Sequence, residues 1–176
     1  MILSLIEARA IDAAINQEDL DALETSVREL TNNNFQNVHI RFKGIEFMAN
    51  NLIVVNDSIV GLKVGDTIEV NYSHYNDGLY VVEEIAGKQI KVQGTPFFVA
   101  NTGGSMLTLV QYPADVTRGI KKLIAYDKKM ASKVGIKSES ISRMSITYYD
   151  VNASENVDGY PASLVSFLKK YEKMRW

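Results

Sequence analysis

His39 and His74 are the only imidazoles in the chain, and they lie 35 positions apart, with neither i, i+4 spacing nor neighbouring acids. A metal pair needs its ligands on one face, so each histidine is expected as a partly exposed strand or loop residue. Glu83 and Glu84 are adjacent, which in a strand sends their side chains to opposite faces and excludes a paired acid/base. They read as a solvated strand end. Asp19 and Asp21 resemble the start of a calcium loop but lack its glycine and its distal glutamate, and charge at a helix start explains them better. Gly103, Gly104 and Ser105 are followed by neither Lys-Ser/Thr nor a helical pattern, so they are expected to form a hairpin turn and not a phosphate loop. No serine stands in a nucleophile-elbow context. With zero cysteines, thiol nucleophiles, thiolate metal sites and disulfides are also absent. The expectation is a protein with no catalytic residues, no metal and no cofactor.

Aromatic rings are the other candidates. Tyr72, Tyr75, Tyr80, Phe97 and Phe98 fall in the middle of the chain, where a small barrel could stack the bases of a single strand on them. The segment 36–112 holds five basic and seven acidic residues, and the basic ones are scattered, so no track for phosphates emerges. These rings are expected to fill a small core and interfaces.

The elements that must position these residues follow from periodicity. Ser4 with Glu7 is a capping box and opens a short helix expected to stop near Asn16. A second helix starts around Gln17 to Asp19, with Leu20, Leu23, Val27 and Leu30 as its apolar stripe. From about residue 36 to residue 112 the period becomes strand-like, punctuated by Asn50-Asn51, Val64-Gly65-Asp66, Asn76-Asp77-Gly78, Ala86-Gly87 and Thr102-Gly103-Gly104. Ile68, Val70 and Tyr72 alternate onto one face, as do Ile90 and Val92. Asn76-Asp77-Gly78 supplies residues that tolerate positive φ in a tight hairpin. At Pro113 helical spacing returns through Val116, Ile120, Leu123, Ile124, Met130 and Val134, ending at Gly135. Met144, Ile146 and Tyr148 then alternate as a strand or one arm of a hairpin, and Pro161 opens a last helix with Leu164, Phe167, Leu168 and Tyr171 on one face.

The fold class expected is α+β. A small helical core, of about four helices plus a strand or hairpin, is interrupted by a small antiparallel SH3-like β-barrel or sandwich. Residues 1–35 supply a helix pair, 36–112 the insert, and 113–176 the rest of the discontinuous helical domain. Overall charge is balanced, with 19 Lys+Arg against 21 Asp+Glu, which argues against gripping duplex phosphates by bulk charge. Its distribution is uneven: 1–35 is net −5 and 113–176 net +5. Opposite faces of that kind could align copies of the chain, and lysines near helix C-termini equally suit the helix dipole. The start of the chain lacks a secretion leader, and no segment approaches the ~20 apolar residues of a membrane span, so a soluble protein made in the cytoplasm is expected.

Several stretches resemble the head-tail connector (adaptor) proteins of tailed bacteriophages. These are Tyr112-Pro113-Ala114-Asp115 before a long helix, the run from Gly135 to Ser142, the strand ending Ile146-Thr147-Tyr148-Tyr149, and Gly159-Tyr160-Pro161 before a closing helix. The opening helix pair, with Asp19-Leu20-Asp21-Ala22-Leu23, is similar to that family's as well. The stretch from Leu62 to Val70 and that from Asn76 to Val82 look like β modules of phage tail and connector proteins, although they match no portal-contacting element. The resemblance implies a virion structural protein of the neck, not an enzyme. It would form a ring, expected to be dodecameric, beneath the portal protein, extending the DNA channel and offering a platform to a stopper or tail-completion protein. Contact with genomic DNA would be transient and non-specific, and no membrane would be involved. By the same analogy the C-terminal segment docks on the portal, through Lys169, Lys170, Tyr171, Lys173, Met174, Arg175 and Trp176. A tail or baseplate structural protein, or a small-barrel nucleic-acid module, are the alternative functions.

Overall fold

Ser4 and Asn16 each open a helix by the same device. The side-chain oxygen accepts the amide three residues on, and the acid there, Glu7 or Asp19, reaches back to the cap's own amide. The resulting helices are α1, Leu5–Arg9, and α2, Gln17–Thr31, in the computed structural model, which describes residues 1–94, 96–131, 138–141, 144–147 and 156–174. α1 ends well before Asn16, because Ile11 and Asp12 both return their amides to Ala8 and Asp12 Oδ1 then takes the amide of Ala14. The buried row of α2 is Leu20, Glu24, Val27 and Thr31, while Leu23 and Leu30 are half-buried. This differs from the expected stripe because two polar side chains find partners inside: Glu24 accepts from the Ile2 amide at 3.1 Å and the Tyr112 hydroxyl at 2.9 Å, and Thr31 donates to Val27 O at 2.7 Å. Asn32, left-handed at φ 47°, stops the helix.

Eight strands follow: β1 (Gln36–Lys43), β2 (Glu46–Met48), β3 (Leu52–Val54), β4 (Thr67–Asn71), β5 (Gly78–Ala86), β6 (Gln89–Val92), β7 (Ala100–Asn101) and β8 (Met106–Val110). They form one antiparallel sheet in the order β1-β8-β4-β5-β6-β3-β2-β7. The expected barrel or sandwich is thus replaced by a single large sheet whose order ends at β1 and β7, with no pairing between them among the described residues, so it is not closed into a barrel. The sheet bends instead. Gly44, at φ 62°, turns β1 into β2, and β5 pairs with β4 through 78–81 and with β6 through 82–86, past an irregularity at Val82/Glu84. Inside the bend Phe47, Ile53, Ile68, Ile90 and Leu107 are at most 1% exposed. Each contributes roughly 2 kcal/mol by leaving water.

Two turn expectations change with this topology. The 103–105 stretch is no hairpin turn, since β7 pairs with β2 while β8 pairs with β1 and β4. It is a corner, held by Gly44 N donating to Ser105 O at 2.8 Å and by buried Ser105 Oγ donating to Ile45 O at 2.7 Å. β4 and β5 do form a hairpin, but the left-handed residues of its loop are Tyr72 (φ 64°) and His74 (φ 68°), not Asn76 or Asp77. Nor is β4 one-sided: Thr67 and Glu69 are buried along with Ile68 and Val70. Its second face joins a polar row in which Gln36 donates to Glu69 at 2.8 Å and Arg41 donates to Thr108 at 3.1 Å and Gln36 at 3.3 Å.

After Pro113, which caps it, α3 spans Ala114–Met130 and buries Val116, Gly119, Ile120, Leu123 and Ile124. The expected continuation to Val134 and Gly135 lies outside the described residues. β9 (Ser138–Ile141) and β10 (Met144–Thr147) pair antiparallel, as do β11 (Asn156–Val157) and β12 (Tyr160–Pro161). The 142–143 and 148–151 parts of the expected strand lie outside the described residues. α4, Ala162–Val165, continues as a 3₁₀ turn, Ser166–Tyr171, with Val165 and Leu168 buried and Leu164, Phe167 and Tyr171 half-buried.

The class is mixed α+β, with four α-helices and a large antiparallel sheet among the described residues. The chain divides into two compact units: Met1 with Asn34–Gln111 forms the β unit, and Ile2–Asn33 with Tyr112–Trp176 forms the helical unit. No helix among the described residues is long and apolar enough to cross a membrane.

Candidate functional site

The C-terminal segment is held to its own helical unit by several independent contacts. Gly119 on α3 leaves the space that the Phe167 ring occupies; a Cβ there would run into that ring. Asp115, in the first turn of α3, accepts from the Tyr171 hydroxyl at 2.6 Å and pairs with Lys170, whose ammonium also lies 5.1 Å from the centre of the Tyr171 ring. The Lys170 and Tyr171 bonds hold the Asp115 carboxyl below its ordinary value, and the same carboxylate raises both partners. Beyond Tyr171 the backbone docks on the end of α2: Lys173 N donates to Thr31 O at 2.8 Å, Asn32 Nδ2 to Met174 O at 3.1 Å, and Asn33 Nδ2 to Tyr171 O at 3.2 Å.

Of the residues expected to meet the portal, Lys170 and Tyr171 are therefore engaged within the subunit. Lys169, Lys173 and Met174 keep exposed side chains, Met174 at 77%. Arg175 and Trp176 lie outside the described residues. The family resemblance pointed to this segment but not to Asp115, Asn32 and Asn33, which hold it from about 56 to 142 positions away.

A cleft of about 510 Å³ opens in the same unit, lined by Ile15, Leu23 and Ile124 together with Asp12, Asp19, Asp127 and Asp158. Tyr160 donates to Asp127 Oδ2 at 2.6 Å, and its ring lies 6.1 Å from that of Tyr126. Partial burial pushes the Asp127 carboxyl up despite that hydrogen bond, and burial together with Asp127 pushes the Tyr160 hydroxyl up. Two of the other acids are committed to backbone: Asp12 to Ala14 N, and Asp19 to Asn16 N. Among the described residues that line it, the cleft offers one hydrogen-bonded carboxylate–phenol pair, Asp127 with Tyr160. No group of three or more His, Asp or Glu side chains among the described residues could hold a metal ion.

In the β unit both histidines are exposed, His39 on β1 and His74 in the loop after β4. Glu83 and Glu84 are exposed together, the irregularity in β5 having broken the alternation expected there, and Glu83 pairs with Lys91 at 3.0 Å. The five aromatics separate into two groups. Phe97 packs edge-on against Phe47 and Tyr80, with 5.1 Å between ring centres in each pair, inside the core. Tyr72, Tyr75 and Phe98 are 67%, 75% and 67% exposed, so of the five rings expected to fill a small core and interfaces only Phe97 and Tyr80 are packed into the core. Their outward placement is built by Asn76, which is 3% exposed. Its Nδ2 donates to Phe98 O at 2.8 Å, its Oδ1 accepts from Phe98 N at 3.0 Å, and its own carbonyl accepts the Tyr80 hydroxyl at 3.0 Å. Asp77 takes the amides of Ser73 at 2.7 Å and Tyr72 at 3.2 Å. Burial pushes the Asp77 carboxyl up, but the Ser73 and Tyr72 hydrogen bonds outweigh it and hold it below its ordinary value.

No family model matches the sequence, and no curated protein matches it.

Proposed function

We propose that this protein is a structural head-tail connector of a tailed bacteriophage: a ring component of the virion neck beneath the portal, working by assembly and not by catalysis. The observation that carries the reading is the order of elements in the helical unit. A capped helix pair from the start of the chain joins a long helix, a strand at Met144–Thr147 and a closing helix after Gly159-Tyr160-Pro161, the elements on which the resemblance rests, with the Ser138–Ile141 strand and the short pair of Asn156–Val157 with Tyr160–Pro161 in addition. The β unit, on this reading, is an SH3-like insert. Its support is that β1–β2 pairs with β8–β7 at both ends of the bend, so that each end of the sheet order leads into a segment already paired with the other.

Charge is compatible with assembly between copies. The first 35 residues are net −5 and the last 64 net +5; part of this is met within the helical unit, where Glu7 pairs with Lys121, and head-to-tail contact through the remainder would generate a ring if the rotation closes. The C-terminal segment suits docking because Lys169, Lys173 and Met174 project from a backbone already clamped, which reduces the ordering cost of binding. Genome would pass through the ring without being trapped, and the insert's balanced charge is compatible with that role.

The test is incorporation into particles. Substituting Lys169→Glu, Lys173→Glu and Met174→Asp together leaves the contacts to Asp115, Thr31, Asn32 and Asn33 in place. Purified heads assembled with this variant should lack the protein, while the wild-type chain is seen at the portal vertex by cryo-microscopy. Wild-type density distal to the neck would reassign the chain to the tail, and undiminished incorporation of the triple variant would remove the C-terminal segment from docking.

A further inference from the structure

We propose that the loop cluster of Tyr72, Tyr75, Phe98 and Val99 on the β unit is a binding platform for an uncharged glycan chain, its rings stacking on the C–H faces of successive sugars.

The cluster is built and not incidental. Tyr72, Tyr75, Phe98 and Val99 are each exposed by two-thirds or more, yet the backbone beneath them is held by buried Asn76 and Ser73 and by the Asp77 carboxylate. Phe97, next to Phe98, is anchored in the core between Phe47 and Tyr80, so Phe98 must face outward. Tyr72 and His74 sit at φ 64° and 68°, a conformation uncommon for histidine and an outlier for tyrosine, which persists only where surroundings enforce it. The rings of Tyr75 and Phe98 stand 5.6 Å apart at 50°, in tilted contact with each other.

Chemistry selects the occupant. Stretches 71–79 and 96–106 contain no Lys or Arg, their one imidazole is the exposed His74, and Asp77, their one acid, is committed to backbone amides. A phosphate backbone would find no permanent counter-charge in these stretches, and a cationic groove of the kind single-strand binders need is not supplied by them. The ligand that complements a neutral surface is itself neutral. Each exposed tyrosine presents an apolar face and a hydroxyl edge, the same division that a pyranose ring makes between its C–H face and its hydroxyl rim. The platform is independent of the neck reading above and stands or falls separately from it.

Saturation-transfer NMR on the full-length chain tests this directly, with maltohexaose, cellohexaose and chitohexaose as probes and a dodecathymidylate strand as the charged alternative. At least one hexasaccharide should receive saturation, strongest at ring C–H protons. Tyr75→Ala and Phe98→Ala, which remove exposed side chains and leave Asn76 in place, should each weaken that binding about tenfold, with amide spectra outside 71–79 and 96–101 unchanged. No transfer to any of the three sugars at millimolar concentration overturns the proposal, as does transfer that both variants retain. Transfer to the oligonucleotide alone, or concentration-dependent self-association that both variants abolish without any sugar binding, would assign the platform to nucleic acid or to a protein contact and would equally overturn it.

Discussion

The two units hold themselves together in different ways. In the β unit, apolar side chains from nearly every strand share one interior, and its long-range polar bonds run mostly between neighbouring strands or loops of the same bend. The helical unit also has an apolar interior, with Leu20, Val27, Val116, Ile120, Ile124 and Leu168 buried, but residues from opposite ends of the chain are joined there by individual side-chain contacts as well: Glu24 with Tyr112, Glu7 with Lys121 at 2.9 Å, Lys128 with Ile11 O at 2.7 Å, and Asp115 with Tyr171. A shared core spreads a loss over many neighbours, whereas a discrete contact localises it.

The strongest way to break the comparison is in the β core. Phe47→Ala removes a ring 1% exposed and touching Phe97, and should cost about 3–5 kcal/mol. Denaturant unfolding followed by amide exchange should show protection lost across β2, β3, β6 and β8 together. If only β2 lost protection, the single-core description of that unit would be wrong.

Gly119→Leu is the corresponding insult to the helical unit, since any side chain there displaces Phe167. It should destabilise by about 3 kcal/mol, with exchange accelerating at Lys173 N, which bonds to Thr31 O, far more than at α3 amides. Uniform acceleration through α3 would show that the C-terminal segment is not separable.

Asn76→Ala sharpens the contrast inside the β unit by leaving the Phe98 amide and carbonyl without partners. A cost of about 2 kcal/mol is expected, accompanied by loss of the ordered 72–77 and 96–99 backbone in NMR while Phe47 and Ile90 keep their shifts.

The smallest effect is that of pH on the C-terminal clamp. The Asp115 carboxyl is depressed in the folded chain by Lys170 and then by Tyr171, so its contribution is complete above the ordinary value of 3.8 and fades as pH falls through the lower folded value. Protection of Lys173 N, taken relative to the intrinsic exchange rate at each pH, should therefore be flat from neutrality down to pH 4 and fall below it. Asp115→Asn should already show the acid-side protection at neutral pH, and unchanged protection in that variant would remove Asp115 from the clamp.

Much of the local structure was legible because its causes are local. Ser4 and Glu7, or Asn16 and Asp19, are three residues apart and satisfy each other whatever surrounds them. Ile68 with Val70 and Ile90 with Val92 point inward because strand period is two. The alternation failed at Tyr72, where the strand ends and the backbone turns left-handed, and at Glu83 and Glu84, where an irregularity in β5 shifts the face. The candidate site was legible only as a segment. Lys169, Lys173 and Met174 stand out by type, but whether their neighbours Lys170 and Tyr171 are free depends on Asp115, 55 and 56 positions earlier.

By itself, then, the sequence determined where the capped helices begin, where strand period replaces helical period, and that no thiol chemistry operates, since these follow from residue type, short spacing and count. Only tertiary structure decided that Glu24 is buried with Tyr112, that Phe97 goes inward while Phe98 goes out, and that the sheet bends without closing. The physical reason is that a side chain's period along the backbone says which way it points, whereas what meets it there is supplied by distant residues whose approach no local pattern encodes.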